Sequence, residues 1–393
     1  MYTPYYDPHQ PTWLEIASGL VIGPSPDPPR RGSGKPRTPW QAICELVTPA
    51  VLNPPCYVSF TGGRDSSGLL AAAVHVAREH GAPPPVAVTM RFPAVKSADE
   101  ADWQELVIGH LGVRDWEKLT VDAEAGEMDL LGERSLGMLS RHGILWPFNV
   151  VLYSRVFDAV PDGGTVITGF GGDGLFERWS WAGLADVVHG TRKPAKADLR
   201  PLGRLLTGRP TAKTTAPDRI WSPHWLRPDA RAEFTRVQSA DQGSAHRTWA
   251  NWVRWFGRRR WVDVARWSLD RIADGRIGVV HPYFEPELHD ALIRDGGARG
   301  YGSRTAIMEA VFGDVLPERT VRRSTKAQTF AKIAWSVHAR RFLADWDGSG
   351  LDDRVVDPAA LREEWAKPAP DGRSALLLLA LWLNRNREAA VRR

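Results

Sequence analysis

The stretch Val58 to Leu70, "VSFTGGRDSSGLL", decides the fold. A short apolar run, CYVSF, precedes its two adjacent glycines, and an alanine-rich run that ends at Gly81 follows them. The first run predicts a buried strand and the second a helix, with the glycines in the turn between them. A glycine pair after a strand lets the backbone approach a ligand closely, and the amides that begin the next helix can bind an anion.

The same alternation continues along the chain. WQAICELVTPAVL predicts a helix before this strand, VAVTMRF a second strand, ADEADWQELVIGHLG a second helix, and GGTVITGFGGDGLF a further strand that runs into glycines. Strands that alternate with helices predict an α/β fold, in which a parallel sheet carries helices on both faces. The remaining half of the chain is predicted to be largely helical.

Composition shifts predict the domain organisation. Residues 1–39 are rich in Pro, Gly and Arg and show little apolar periodicity, so we expect an irregular N-terminal extension. Residues 40–393 are predicted to form one domain, which includes a tryptophan-rich helical insertion at about residues 180–275.

The tryptophan-rich insertion has two interpretations. Trp249, Trp252 and Trp255, followed after a shift by Trp267, have roughly helical spacing. This spacing favours core packing over an aromatic wall for a substrate, although both remain open. The run Arg258–Arg260 is predicted to be a solvated basic surface.

Composition also limits the function classes. The chain has 393 residues, 43% of them hydrophobic, and no apolar run of the ~18 residues that a membrane span needs. No secretory signal is visible at the N-terminus, so a cytoplasmic protein is expected. The formal charge of +5 is a mild excess that suits an anionic small molecule as well as nucleic acid, and by itself it does not discriminate between them. Cys44 and Cys56 form no CxxC pair, which favours two reduced thiols over a zinc site or a disulfide.

The residues of the first glycine turn predict its ligand. Thr61–Ser67 has the composition of a phosphate-binding turn, but it lacks the spacing and the lysine of a Walker loop and is not a GxGxxG fingerprint. Asp65 inside this turn would repel phosphate unless a cation lay between them, so it is expected to bind Mg²⁺. The alternative is an ordinary strand-to-helix turn with polar caps.

A second glycine and acid cluster supports the ligand-binding interpretation. Gly169–Asp173 follows the apolar strand TVIT. Ligands of such sheets bind at the carboxyl ends of the strands, where two loops of this kind would lie side by side. Asp65 and Asp173 could then share one or two metal ions over a polyphosphate.

These two motifs together carry a resemblance to a known family. TGGRDSS is similar to the SGGxDS signature of the PP-loop ATP pyrophosphatases, and with GFGGDGLF it resembles the synthetase domain of the asparagine synthetase family. Ser97–Glu100, His281–Glu285 and Ala306–Phe330 resemble further landmarks of that family in the same order. The likeness extends from about Trp40 to the C-terminus.

The resemblance implies a reaction and a set of site residues. The family adenylates a carboxylate with ATP, releases pyrophosphate and lets an amine attack to form an amide. By resemblance Asp65 and Asp173 would bind Mg²⁺, and Lys326, with Arg323 beside it, would steady the transition state of adenylation. The residues implied to bind ATP are Ser59, Thr61, Gly62, Gly63, Ser66, Thr89, Met90, Gly169, Gly171 and Gly172.

Three departures from the family affect the expected substrate. Only about 40 residues precede the synthetase-like region, so no glutaminase domain is expected and the amine would be ammonia, a substrate amine or one delivered by a partner protein. Phe170 stands where asparagine synthetases have a glutamate and β-lactam synthetases a catalytic tyrosine, and it can neither give nor take a proton. Either another group deprotonates the amine, with His281, Glu285, Asp270 and Glu177 as candidates, or the substrate does so itself.

The third departure is the length between Asp173 and Pro282. With the C-terminal pattern, this length resembles the lasso-peptide cyclases, which close a macrolactam. The expected partners are therefore a carboxylate-bearing small molecule or peptide and an amine, joined by ring closure or by intermolecular ligation. The alternatives are a tRNA-modifying PP-loop enzyme and a catalytically inactive ATP-binding subunit.

Overall fold

The computed structural model describes residues 9–27, 32, 34–177, 179, 182–183, 187, 193, 195, 222–243, 248–325 and 333–391. Lys326, predicted to be catalytic, lies outside the described residues, as does much of the segment between residues 178 and 221.

The described residues form a five-stranded parallel sheet with the order β3-β2-β1-β4-β5. The strands are β1 (Cys56–Ser59), β2 (Val86–Arg91), β3 (Trp116–Thr120), β4 (Thr165–Ile167) and β5 (Gly278–Val280). The central strand β1 pairs with β2 on one side and with β4 on the other. The predicted α/β fold is confirmed, and the strands that precede the two glycine motifs are direct neighbours.

Helices surround the sheet and make up most of the C-terminal half. They are α1 (Trp13–Ser18), α2 (Pro39–Val51), α3 (Arg64–His80), α4 (Ala101–Leu111), α5 (Glu133–His142), α6 (Val151–Asp158), α7 (Gly172–Leu175), α8 (Pro228–Gly243), α9 (Trp249–Phe256), α10 (Arg260–Ala273), α11 (Pro286–Gly296), α12 (Arg304–Phe312), α13 (Glu318–Val321), α14 (Val337–Ala344), α15 (Pro358–Trp365) and α16 (Ala375–Val391). Short 3₁₀ turns occur at Lys96–Ala98, Phe148–Val150, Pro282–Phe284 and Gly372–Ser374.

Alternate strand residues supply the cores on the two faces of the sheet. Val58 and Ile167 belong to the apolar cluster that contains α2 and α3. Their neighbours Tyr57 and Val166 belong to another cluster, which contains residues of α6 and α10. Because successive side chains of a strand point to opposite faces, helices cover both sides of the sheet.

Two strands were missed in the sequence because their patterns are weak. The edge strand β3, sequence WEKLT, is partly exposed along its whole length and lacks the apolar run of a central strand. The other edge strand, β5, has three residues, and its first is a glycine. Both strands are defined by pairing with a neighbour rather than by their own residues.

The sequence analysis predicted an irregular N-terminal segment, but part of this segment is helical. Residues Trp13–Ser18 form α1, and Thr12 and Glu15 close its first turn with a capping box. Ala17 is fully buried in a second apolar cluster that contains residues of α8, α14, α15 and α16. A short amphipathic helix of this kind is stabilised by tertiary packing, which composition does not reveal.

The prediction of a solvated basic surface at Arg258–Arg260 is wrong for two of its three residues. Arg260 is buried and pairs with the buried carboxylate of Glu15. Arg259 pairs with Asp241 at 3.2 Å and stacks over the ring of Trp255. Burial of these charges is tolerated because each has a carboxylate partner.

The core-packing interpretation holds for Trp249. Its side chain is buried, and its indole N–H donates to the carbonyl oxygen of Leu292 over 2.9 Å. Trp252 and Trp255 are half-buried and pack against each other, and Trp267 lies beside Arg271. Among the described residues, no helix is long and apolar enough to span a bilayer. Cys44 and Cys56 are both free thiols.

We expect Gly68→Ala to destabilise the protein. A Cβ at Gly68 would lie 2.5 Å from a ring carbon of Phe312, which is fully buried and packs edge-on against Trp40 and Phe176. Overpacking of this kind costs about 1–3 kcal/mol, measurable as a loss of free energy of unfolding in urea. Gly109→Ala is the matched control, because its Cβ meets no heavy atom within 4 Å. Equal stability of the two variants would contradict the packing described here.

Candidate active site

The first glycine loop joins β1 to α3 and is held by its own polar groups. The hydroxyl groups of Thr61 and Ser66 lie 3.1 Å apart, and Ser66 Oγ donates to the carbonyl oxygen of Gly63 over 3.2 Å. Gly63 caps α3 without a side chain, so the first amides of the helix receive no side-chain cap from it. The buried hydroxyl of Ser67 finds no partner among the described residues. The loop therefore has the donors that a phosphate requires.

The conformation of this loop requires glycine at residue 62. Gly62 has a φ of 81°, and a Cβ there would lie 2.8 Å from Cγ of Gln104. Gln104 in turn donates from Nε2 to the carbonyl oxygen of Thr61 over 3.1 Å. A side chain at residue 62 would push this support away and shift the loop.

The second glycine loop joins β4 to α7 and packs directly against the first. Gly171 has a φ of 92°, and a Cβ at this residue would lie 2.4 Å from the ring of Phe284. A Cβ at Gly172 would lie 2.8 Å from Cβ and Cγ of Asp65. A Cβ at Gly169 would likewise lie 3.4 Å from the Cα of Ser66. The sequence prediction that the two loops lie side by side is confirmed.

The two acidic residues of the loops converge on one cation, the guanidinium of Arg304. Its Nη2 lies 2.7 Å from Asp65 Oδ2 and 2.8 Å from Asp173 Oδ1. Asp65 lies in the first turn of α3 and Asp173 in α7, while Arg304 begins α12. The hydroxyl of Tyr283 donates a hydrogen bond to the backbone oxygen of Asp65 over 2.7 Å and holds the backbone of that residue in place.

Burial raises the pKa of Asp65 to about 6. The positive charge of Arg304 opposes this rise, and the negative charge of Asp173 adds to it. A carboxylate kept out of water next to another carboxylate is stable in its charged form only with a cation beside it. The site is therefore built for a positive charge.

The donor set fits a divalent cation. Two carboxylates within 3 Å of one positive nitrogen can present hard oxygen ligands to a single ion, which is the preference of Mg²⁺. The guanidinium of Arg304 marks the position that such a cation would take. The residues that would hold Mg²⁺ are thus Asp65 and Asp173, as the sequence suggested, and this remains a prediction.

The remaining residues of the predicted ATP site lie at the same edge of the sheet. Ser59 is buried at the end of β1, and its register partner in β2 is Val88. Thr89 and Met90 therefore lie beyond the end of β1, next to the first loop. The hydroxyl of Thr89 donates to the carbonyl oxygen of Phe60 over 2.8 Å and ties the two strands together.

Arg323 lies at the first loop and is buried. It pairs with Glu100 and donates from Nη1 to the carbonyl oxygen of Gly62 over 3.1 Å. Its guanidinium also lies 4.5 Å from the ring centre of Trp103. The structure thus joins the segment that leads into residue 326 to the glycine loop.

Aromatic rings surround Phe170 beside the two acidic residues. The ring centres of Tyr153, Phe284 and Trp261 lie 5.7, 5.8 and 6.4 Å from that of Phe170. Phe170, Tyr153 and Trp261 remain partly exposed. Burial raises the pKa of Tyr153, and the charges of Asp173 and Asp65 raise it further, so its phenol stays neutral.

The four candidate bases of the sequence analysis lie in different environments. His281 is buried, and its Nδ1 lies 2.7 Å from the hydroxyl of Thr168. Glu285 pairs with Arg266 at 2.8 Å. Asp270 and Glu177 are exposed residues.

The residues that sequence reasoning missed act through long-range contacts. Arg304 and Gln104 carry no motif of their own, and Tyr283 lies in the landmark His281–Glu285 without having been assigned to the site. Each contacts a loop that lies 40 or more residues away in the chain. Arg304 stands two residues before Ala306–Phe330, the segment that resembles the family, and no local pattern marks it as a site residue.

Two adjacent glycine loops and an acidic pair at the carboxyl end of a parallel sheet are the arrangement of an α/β fold of the PP-loop type. A family model for asparagine synthase matches residues 51–384, which is most of the chain. The chain therefore belongs to the asparagine synthase family, whose members are ATP-dependent carbon–nitrogen ligases. The comparison with curated proteins gave no match.

The environment of His281 predicts a pH dependence of stability. Burial lowers the pKa of His281 to about 3, and the charge of Arg266 contributes. The unfolded chain therefore binds a proton that the folded chain does not between about pH 6.5 and pH 3, so stability falls as the pH falls through this window. The slope from this group is at most about 1.4 kcal/mol per pH unit.

We expect His281→Gln to flatten this acid dependence. The measurement is the free energy of unfolding in urea at pH 7, 6 and 5, for the variant and the wild type. His75→Gln serves as the control, because its ring is half exposed. An unchanged slope in His281→Gln would show that the imidazole is not held neutral.

Proposed function

We propose that the chain is an AMP-forming amide synthetase that adenylates a substrate carboxylate, releases pyrophosphate and joins the acyl group to an amine. One observation carries this proposal: the loops after β1 and β4 bring Asp65 and Asp173 to a single cation. Paired carboxylates over a phosphate-binding turn suit the departure of a highly charged leaving group.

The chemistry has two steps. In the first, an oxygen of the substrate carboxylate attacks the α-phosphorus of ATP, and the bond from that phosphorus to the oxygen of the β-phosphate breaks. In the second, the amine nitrogen attacks the acyl carbon, the carbon–oxygen bond to AMP breaks, and the proton that the amine loses passes to a basic group of the enzyme or of the substrate. Bound Mg²⁺ would supply charge neutralisation of the phosphates.

The residues of the chain act by holding and positioning these groups. The first amides of α3, with Thr61 and Ser66, would bind phosphate oxygens. Thr89 and Met90 would place the adenine at the end of β2. Arg323 would hold the loop through the oxygen of Gly62, and Lys326 would stabilise the charge that develops on the departing pyrophosphate.

The aromatic surroundings of Phe170 support a substrate other than a small acidic amino acid. Phe170, Tyr153 and Trp261 are partly exposed next to the acidic pair, and Trp146 lies 6.0 Å from Trp261. Such a surface suits the apolar part of an acyl group or a peptide. We therefore propose a role in peptide or natural-product biosynthesis, with ring closure or ligation of a separate amine as the second step. A partner protein could deliver the substrate.

The first test is product analysis with ATP, Mg²⁺ and a panel of carboxylic acids and acidic peptides. AMP and pyrophosphate should form only with certain acids. ADP and phosphate as products would overturn the assigned bond cleavage. ATP binding without turnover on any acid would favour an inactive subunit, and turnover dependent on tRNA would favour the alternative PP-loop class.

We expect Asp65→Asn and Asp173→Asn each to abolish adenylation of an acid found in this way. Loss of one ligand removes charge stabilisation of the leaving pyrophosphate, which should lower the rate by at least about 100-fold. The measurement is acid-dependent release of pyrophosphate. Asp102→Asn is the matched control, because it removes an exposed carboxylate from the first turn of α4. Full activity of either site variant would refute the metal assignment.

We expect Lys326→Ala to slow adenylation much more than it weakens ATP binding. Its charge matters most as negative charge moves onto pyrophosphate, so the rate should fall by about 100-fold while the Kd for ATP changes by less than about threefold. Pyrophosphate release and calorimetric titration with ATP measure the two quantities. Lys118→Ala, at an exposed residue of β3, is the control. An unchanged rate would remove Lys326 from the site.

A further inference from the structure

Arg304 competes directly with any metal ion for the two acidic residues. Its Nη2 lies 3.0 and 2.7 Å from the two carboxylate oxygens of Asp65 and 2.8 Å from Oδ1 of Asp173. A guanidinium and a divalent cation at contact distance of the same oxygens repel each other, which disfavours binding of both at once. A metal ion held by both carboxylates would therefore favour displacement of the arginine.

The backbone around Arg304 is fixed, and its side chain is partly exposed. Ser303 caps α12 by accepting a hydrogen bond from the amide of Ala306 over 3.1 Å. Arg304 is about one quarter exposed, and its Nε is buried without a partner among the described residues. A long side chain on a capped helix, with one donor unsatisfied, can exchange one set of acceptors for another at small cost to the fold.

The acidic pair has its own support when the arginine leaves. Tyr283 holds the backbone of Asp65, and Gly172 packs against the Asp65 side chain. Asp65 lies in the first turn of α3, directly after the glycines of the phosphate-binding loop. Phosphate oxygens at this loop would offer the guanidinium a new anionic partner within reach of its present position.

We propose that Arg304 is an internal counter-cation that occupies the metal position in the nucleotide-free protein and moves to the phosphates when magnesium and ATP bind together. The arginine thus keeps the carboxylates paired and makes tight metal binding depend on the nucleotide. This inference rests on the proposed function of the site. Arg304 is thus a positioning residue, and through it the binding of the metal ion depends on the binding of ATP.

The test is a titration with Mn²⁺ in the absence of nucleotide. The electron paramagnetic resonance signal of the free ion measures how much Mn²⁺ is bound. Arg304→Gln should bind Mn²⁺ at least tenfold more tightly than the wild type. Adding Asp173→Asn to this variant should remove the gain, which locates the ion at the acidic pair. Unchanged or weaker Mn²⁺ binding in Arg304→Gln would overturn the inference.

Arg64→Gln is the matched control. Arg64 lies in the same field as both carboxylates and Arg304, and its Nη1 donates to Thr305 Oγ1 over 3.4 Å. Its removal takes away the same charge without vacating the metal position, so the gain in Mn²⁺ affinity should be less than about threefold. An equal gain in both variants would show a general charge effect and refute the proposal.

A second measurement uses the non-hydrolysable ATP analogue AMPCPP. In the wild type the analogue should raise the affinity for Mn²⁺ strongly. In Arg304→Gln the gain in Mn²⁺ affinity caused by the analogue should be at least tenfold smaller, because this variant already binds Mn²⁺ without nucleotide. Should the wild type fail to bind the analogue, the proposed function fails, while the Mn²⁺ comparison still decides the role of Arg304. Arg304→Met, which keeps the aliphatic stem, replaces the Gln variant if thermal unfolding shows that the latter is not folded.

Discussion

The site depends on one constraint, the adjacency of β1 and β4 in a parallel sheet. Parallel strands end at the same edge, so the loops that follow them must share the space above it. That space is narrow, since a Cβ at Gly172 would already lie 2.8 Å from the side chain of Asp65. The glycines of the second loop therefore permit the contact that makes two distant acidic residues neighbours.

Two carboxylates in a partly buried site repel each other and lose hydration, and other residues of the site offset this unfavourable free energy. The pKa of Asp65 rises to about 6, chiefly through burial. Arg304 supplies the compensating charge, and Tyr283 and Gln104 hold the loop through backbone oxygens rather than through further charges. Neutral donors therefore fix the geometry of the loop, and the guanidinium of Arg304 balances the charge of the two carboxylates.

The sequence predicts those parts of the molecule that local pattern determines. Both glycine turns, their strands and the acidic pair follow from short segments, because a buried strand, a turn and a helix each have a local signature. Arg304 was missed because its contact with Asp65 spans 239 residues and depends on how α12 docks on α3. The edge strands β3 and β5 and the small helix α1 were missed because pairing and packing define them.

Phe170 is an uncharged residue in an aromatic cluster beside the acidic pair, and it affects both the charge of the site and the surface offered to a substrate. An ionised glutamate at this residue would stand beside two carboxylates and add a third negative charge to the field of Arg304. The phenyl ring adds none, and with Tyr153 and Phe284 it lowers the local dielectric constant. Charge interactions between Arg304 and the acidic pair are thereby strengthened. Phe170 itself offers no polar contact, which under the proposed function suits an apolar acyl group rather than a small acidic substrate.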